Sequence, residues 1–350
     1  MRSVGIVPVN LLERIAEPTS RFHFDYVAYR RGEITRAALI ARLPHVAMLG
    51  DSVCMGIYIS SVVSTFWRTR RCAGRNWFLD TDQSPGAIQS VSKRLEKLTP
   101  FVAMEYAGVG ALVDREGERQ NVFRRVLGTR NFSGQVSQLL AAPRFPDLIL
   151  ISIGHNNVDW TWWCPPGELA QPDARLQRQA RACCRNFAQQ LRRLVDFARD
   201  QHHRVAIVVY GLVNFAAYFQ GRAEAERRRE QDRCLYPYLE TTYKYLRSFR
   251  PEYRQNLTRL AEMLNSELRA LVIEFNHECD SASSIQLRYS HALANADLSR
   301  AELLHAIDGW HASVEGHNVL ATAAFEGLKP SLEFLRWSEV ERCVPSALVK

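Results

Sequence analysis

Five residues set the chemical reading of this 350-residue chain: Ser52, Gly108, Asn156, Asp308 and His311. Ser52 closes Gly50-Asp51-Ser52, directly after the apolar run Val46-Ala47-Met48-Leu49. Asn156 lies in Gly154-His155-Asn156-Asn157, after Leu148-Ile149-Leu150-Ile151-Ser152-Ile153. Asp308 and His311 share the tetrad Asp308-Gly309-Trp310-His311. A hydroxyl, an imidazole to take its proton, a carboxylate to orient that imidazole and donors for a developing oxyanion are the parts that nucleophilic acyl transfer needs. The Asp-x-x-His spacing brings carboxylate and imidazole together within one turn of chain. Such chemistry is recognised by roles, not by chain order.

Those residues must be held by strand ends. Apolar runs predict strands at 45–49, 101–106, 148–153, 204–210 and 284–289, because strands buried on both faces read as continuous hydrophobic stretches. Helical spacing fills the gaps: from a Ser84-Pro85 cap to Leu98, over 132–142, over 173–201, to about Phe275, and over 314–328. Alternation of this kind implies a parallel sheet of about five strands between helices, a three-layer α/β/α domain. In such sheets functional residues gather beyond the carboxyl ends. Gly50 is expected to let the chain turn sharply there, with Ser52 at the first turn of a following helix. Residues 1–43 read as an amphipathic lead-in and 45–327 as the core of one domain. Residues 212–282 read as a helical, aromatic-rich insertion that could serve as a lid.

Composition narrows the function classes. With 47% hydrophobic and 23% charged residues the chain reads as an ordinary globular protein. No apolar run is long enough to span a bilayer and no secretory cleavage pattern follows the N-terminus, so the expected location is cytoplasmic, without stable membrane insertion. The net charge of +8 is spread widely, and all but five of the 45 cationic residues are arginines. Arg227-Arg228-Arg229 is flanked by Glu224, Glu226 and Glu230, the pattern of a solvated helix with internal ion pairs and not of a nucleic-acid surface. Eight cysteines without a CxxC pair read first as free thiols, with one or two disulfides left open, and not as a zinc site. Cys54, two residues after Ser52, reads as a buried helix-face residue and not as a nucleophile. His202-His203 has no carboxylate at ligand spacing and reads as helix-end surface.

The ordered blocks resemble the SGNH, or GDSL, hydrolase family. Gly50-Asp51-Ser52-Val53 is similar to the family's first block, Gly108 to the second-block glycine, Gly154-His155-Asn156-Asn157 to Gly-x-Asn-Asp, and Asp308-Gly309-Trp310-His311 to Asp-x-x-His. Two departures stand out. Asn157 replaces the usual aspartate, and Tyr106-Ala107 replaces the asparagine before the second-block glycine, leaving Gly108 and Gly110 both open for its role. The resemblance implies a flavodoxin-like fold and a serine esterase. Ser52 would be the nucleophile, His311 the base and Asp308 its orienting carboxylate. The Ser52 and Gly108 N–H groups, with the Asn156 amide, would form the oxyanion hole. His155, Trp160 and Trp310 are candidates to line the substrate pocket. No metal or cofactor is implied. The expected partner is a small-molecule, lipid or carbohydrate ester. Hydrolysis of acyl esters of lipids or small alcohols is the first expectation, with carbohydrate O-acetylesterase or acyltransferase as alternatives. A G-x-G-x-x-G dinucleotide loop is excluded because Val113 stands at the third glycine.

Overall fold

The computed structural model describes residues 11–18, 20–55, 75–82, 84–113, 130–159, 173–236, 250–278, 284–306 and 309–337. Three short helices come first: α1 (Leu11–Ala16), α2 (His23–Arg30) and α3 (Arg36–Arg42). Their apolar residues Leu11, Ile15, Phe22, Leu39 and Leu43 form a small cluster closed by Val102, so the lead-in covers one edge of the sheet. There follow β1 (His45–Gly50), α4 (Val91–Glu96), β2 (Val102–Glu105), α5 (Phe132–Leu140) and β3 (Leu148–Ser152). The chain continues through α6 (His155–Asp159), α7 (Asp173–Asp200), β4 (Val205–Tyr210), α8 (Phe215–Gln231), α9 (Arg254–Glu278), β5 (Ile285–Ser290) and α10 (Val314–Phe334).

The strands pair in the order β2-β1-β3-β4-β5, parallel throughout. Every residue of β1, β3 and β4 is buried, whereas edge strand β5 mixes buried and half-buried positions. Right-handed crossovers then dictate the layers. The step from β1 to β2 runs one way and carries α4. The steps β2–β3, β3–β4 and β4–β5 run the other way, so α5, α7 and α9 share the opposite face. Packing agrees: α7 lies against α5 and α9, while α10 lies against α4, β4 and β5. This is a three-layer α/β/α fold around a parallel five-stranded sheet.

Two local expectations change. The helix expected from Ser84-Pro85 begins instead after Ser90, whose Oγ accepts the N–H groups of Lys93 (3.3 Å) and Asp80 (3.1 Å). Residues 84–87 form a tight turn, Ala87 N–H to Ser84 O, with Gly86 at φ +82. Within 212–282, α9 is the β4–β5 crossover, packed on α7 and β5. Of that segment only 212–253 stands outside the crossover, and Tyr238, Tyr243 and Tyr245 of its tyrosine run lie outside the described residues. Among the described residues no helix is long and apolar enough to cross a membrane.

Candidate active site

Strand order reverses around β1, which has β2 on one side and β3 on the other. The space beyond the carboxyl ends at such a reversal is where an open α/β sheet admits a ligand, and Ser52 follows the end of β1 there. Ser52 begins a 3₁₀ turn, Ser52–Cys54, capped by Asp51, whose Oδ1 accepts the Val53 N–H at 3.1 Å. Gly50 is needed for close approach and not, as expected, for a sharp turn. A Cβ there would sit 2.5 Å from Cys54 Sγ and 2.7 Å from the Ser152 carbonyl. The Cys54 thiol donates to that carbonyl at 3.2 Å, and burial pushes it well above the usual thiol range. An inert structural thiol is the result. The Ser52 N–H makes no hydrogen bond among the described residues.

Asp51 is fully buried and ties the loops after β1 and β3 together. Its Oδ2 accepts the N–H groups of Gly154 (3.2 Å) and His155 (3.1 Å) and faces His155 Nδ1 at 2.9 Å. The other ring nitrogen, Nε2, accepts the Val213 N–H at 3.2 Å, which puts the ring proton on Nδ1, toward Asp51. His155 is thus committed at both nitrogens, and its ring stacks on Phe215, 6.4 Å away at 16°. On the other side of Gly50, the fully buried Gln135 takes the Gly50 N–H on Oε1 (2.9 Å) and donates Nε2–H to Gly50 O (2.8 Å). Sequence reasoning passed over Gln135. A polar residue on the face shared by Phe132, Val136 and Leu139 was the available signal.

The oxyanion candidates divide. The Gly108 N–H donates to Gly50 O at 3.1 Å, so that hydrogen is engaged inside the fold. Ala111 N–H closes a turn onto Gly108 O, and its third residue, Gly110, takes φ +69, a conformation that favours glycine. The Gly110 N–H makes no hydrogen bond among the described residues. Asn156 Nδ2 donates to Ala111 O at 3.0 Å, which fixes its amide beside that turn; a primary amide has a second N–H to offer. Asn157 accepts the Val113 N–H (2.8 Å) and donates to Val113 O (3.0 Å). A carboxylate at 157 could accept but not donate, so the asparagine suits this loop.

His311 is buried to 7% exposure on a loop closed by His305 N–H to His311 O (2.7 Å) and Ser313 N–H to Leu303 O (2.9 Å). Asp308 and Trp160 lie outside the described residues. Trp310 is half-buried, edge-on to Tyr218 at 5.3 Å, with the Arg222 guanidinium 5.0 Å from its ring centre. The two halves of the site are joined through Trp77. Its indole N–H donates to Val53 O (3.1 Å), and its backbone N–H donates to His317 Nδ1 on α10 (3.2 Å). Burial, then the neighbouring His311 and His305, pushes His317 down to about 3.

Away from the site, His203 is not plain helix-end surface: its Nε2 faces Asp147 at 3.4 Å, at the opposite end of the sheet. Burial opposes ionisation of Asp147, but His203 and the His45 N–H hold its carboxyl below the usual range. Among the described residues Cys54, Cys183, Cys184 and Cys234 are free thiols.

Solved structures similar to this chain include a mutant acetyl esterase with acetate ion, 13% identical, covering 84% of this chain and 100% of its own, at TM-score 0.39. Another is a carbohydrate esterase family 3 protein from Talaromyces cellulolyticus, 12% identical, covering 83% of this chain and 99% of its own, also at TM-score 0.39. A search of curated proteins returns no match. The model of the GDSL-like lipase/acylhydrolase family matches residues 46–324, which takes in Ser52, Gly108, Asn156 and the Asp308–His311 tetrad. The chain belongs to that family.

Proposed function

We propose that this protein is a carboxylic ester hydrolase that works through an acyl-enzyme on Ser52. The observation that carries the reading is the reversal of strand order at β1. The loops after β1 and β2 meet there, and they carry the Ser52 hydroxyl and two N–H groups, those of Ser52 and Gly110, that no described residue uses. His311 takes the Ser52 proton and later activates water; Asp308 orients His311. The oxyanion is held by Ser52 N–H, the free N–H of the Asn156 amide, and the β2 loop. In that loop the donor falls to Gly110, since Gly108 is spent on Gly50. Acyl esters of lipids or small alcohols are the substrate class, because the helix after β4 sets Phe215 against His155 and Tyr218 against Trp310, aromatic rings beside both loops.

The test is hydrolysis of p-nitrophenyl esters from acetate to palmitate by wild type and Ser52→Ala. Turnover by wild type alone supports the reading, and the preferred chain length reports the depth of the acyl pocket. Equal turnover by both proteins overturns it. Asn156→Ala should lower kcat by ~10²–10³ with the fold intact, the usual effect of losing one oxyanion donor.

A further inference from the structure

Arg222 is the only fully buried arginine or lysine among the described residues. A buried charge is costly to desolvate and does not by itself stabilise a fold. Its surroundings point to what it holds. Arg222 sits on α8, its Nε donating to Glu226 at 3.2 Å, and Glu226 also takes Arg254 Nη2 at 2.6 Å. The guanidinium then lies 5.0 Å from the centre of the Trp310 ring, while Tyr218, one turn earlier, meets the same ring edge-on. A cation over an indole face is the strongest pairing of its type. Trp310 precedes His311 directly.

The same helix is fastened to the stretch that leads into the histidine loop. Glu224 accepts the Ala301 N–H at 2.9 Å, and Arg228 pairs with Glu302 at 2.6 Å. At Gly221 a Cβ would lie 2.5 Å from the Leu298 carbonyl, so backbone meets backbone. Rigid attachment at 298–302 and a charge against Trp310 leave the histidine loop two supports from one helix. The helix also reaches the other catalytic loop, through Phe215 on His155.

We propose that Arg222 is a positioning residue of the active site: acting through Trp310, it sets the place of His311 relative to Ser52. The proposal rests on the serine-esterase reading only for its kinetic consequence. A misplacement of about 1 Å far from the chemistry can cost ~10²-fold in rate, so the effect belongs in kcat and not in KM.

The test compares wild type, Arg222→Met, Arg222→Lys, Trp310→Phe and the combined Arg222→Met/Trp310→Phe by two readouts. The first is the His311 imidazole resonance in ¹H–¹³C NMR spectra, identified with His311→Gln. The second is kcat and KM on a p-nitrophenyl ester, counted per active site titrated with a fluorophosphonate. The expected result is a displaced or broadened His311 resonance in Arg222→Met, kcat lower by ~10-fold or more and KM within ~2-fold. Arg222→Lys should recover part of the loss, and Arg222→Met should add little to Trp310→Phe. An unmoved His311 resonance with unchanged kcat and only a lower melting temperature would overturn the proposal. If Arg222→Met does not fold, Arg222→Lys and Trp310→Phe decide it, since both keep the site filled: unchanged kcat and His311 signal in both contradicts the role. If wild type neither turns over ester nor reacts with the phosphonate while the His311 resonance still moves, positioning stands and the esterase reading fails.

Discussion

On the nucleophile side of the candidate site, position comes from groups that bond to backbone. Asp51 gathers three N–H groups and an imidazole from the loops after β1 and β3, and Gln135 clasps both polar atoms of Gly50. On the histidine side, position comes from side chains of one helix outside the crossover scheme: Glu224 on Ala301 N–H, Arg222 and Tyr218 on Trp310. The first arrangement is part of the sheet and cannot be loosened without loosening the fold. The second hangs on side-chain contacts beside the sheet. On the proposed reading, the nucleophile would be held through backbone and the base through side chains.

That contrast can be broken most directly at Asp51. Asp51→Ala leaves the Val53, Gly154 and His155 N–H groups and the His155 ring without their acceptor. Each buried donor left without an acceptor costs about 1–3 kcal/mol, so urea unfolding should show the midpoint fall steeply, with activity lost alongside. A variant as stable as wild type would show that Asp51 does not hold the loops. Gln135→Leu sharpens the same side with a smaller effect. Two backbone groups of Gly50 lose a partner, and about 1–3 kcal/mol is expected. A kcat loss without any stability loss would place Gln135 with the histidine side instead.

At neutral pH the smallest effect lies at the seam, in His317, whose contribution changes only in acid. Its folded-state value of about 3 is below the ordinary 6.5, so the unfolded chain binds the extra proton between those pH values. Its stabilising contribution is complete above pH 6.5 and is lost as pH falls from there toward 3, by up to ~1.4 kcal/mol per pH unit. His317→Gln keeps an acceptor for the Trp77 N–H and should flatten the loss of stability between pH 6.5 and 4. An identical pH profile in wild type and variant would mean that His317 titrates normally.

The difference between the two sides also explains what can be read from the chain. The sheet is legible because β1, β3 and β4 are apolar without interruption, and their ends carry Ser52 and Asn156. Asp51 is visible only as part of a motif, since its partners after β3 are more than 100 positions away. Gly50 reads as a turn residue, but the constraint is Cys54 and Ser152 crowding it, a contact made only by folding. Arg227-Arg228-Arg229 reads as a solvated helix with internal pairs. Arg228 does pair with Glu224, yet it also reaches Glu302, and Glu226 turns to Arg222 and Arg254. Charge patterning identifies the partners available within a helix but not those that tertiary structure brings. Ser84-Pro85 is a sound capping signal that loses to Ser90, which satisfies an additional N–H from Asp80.

The most direct test of the central claim is fluorophosphonate labelling followed by peptide mapping, on wild type and His311→Ala. A single phosphonyl group is predicted, on the peptide carrying Ser52, with labelling slowed by ~10³-fold or more without the His311 base. Label on another residue, or equal labelling rates in the two proteins, would contradict a Ser52 nucleophile served by His311.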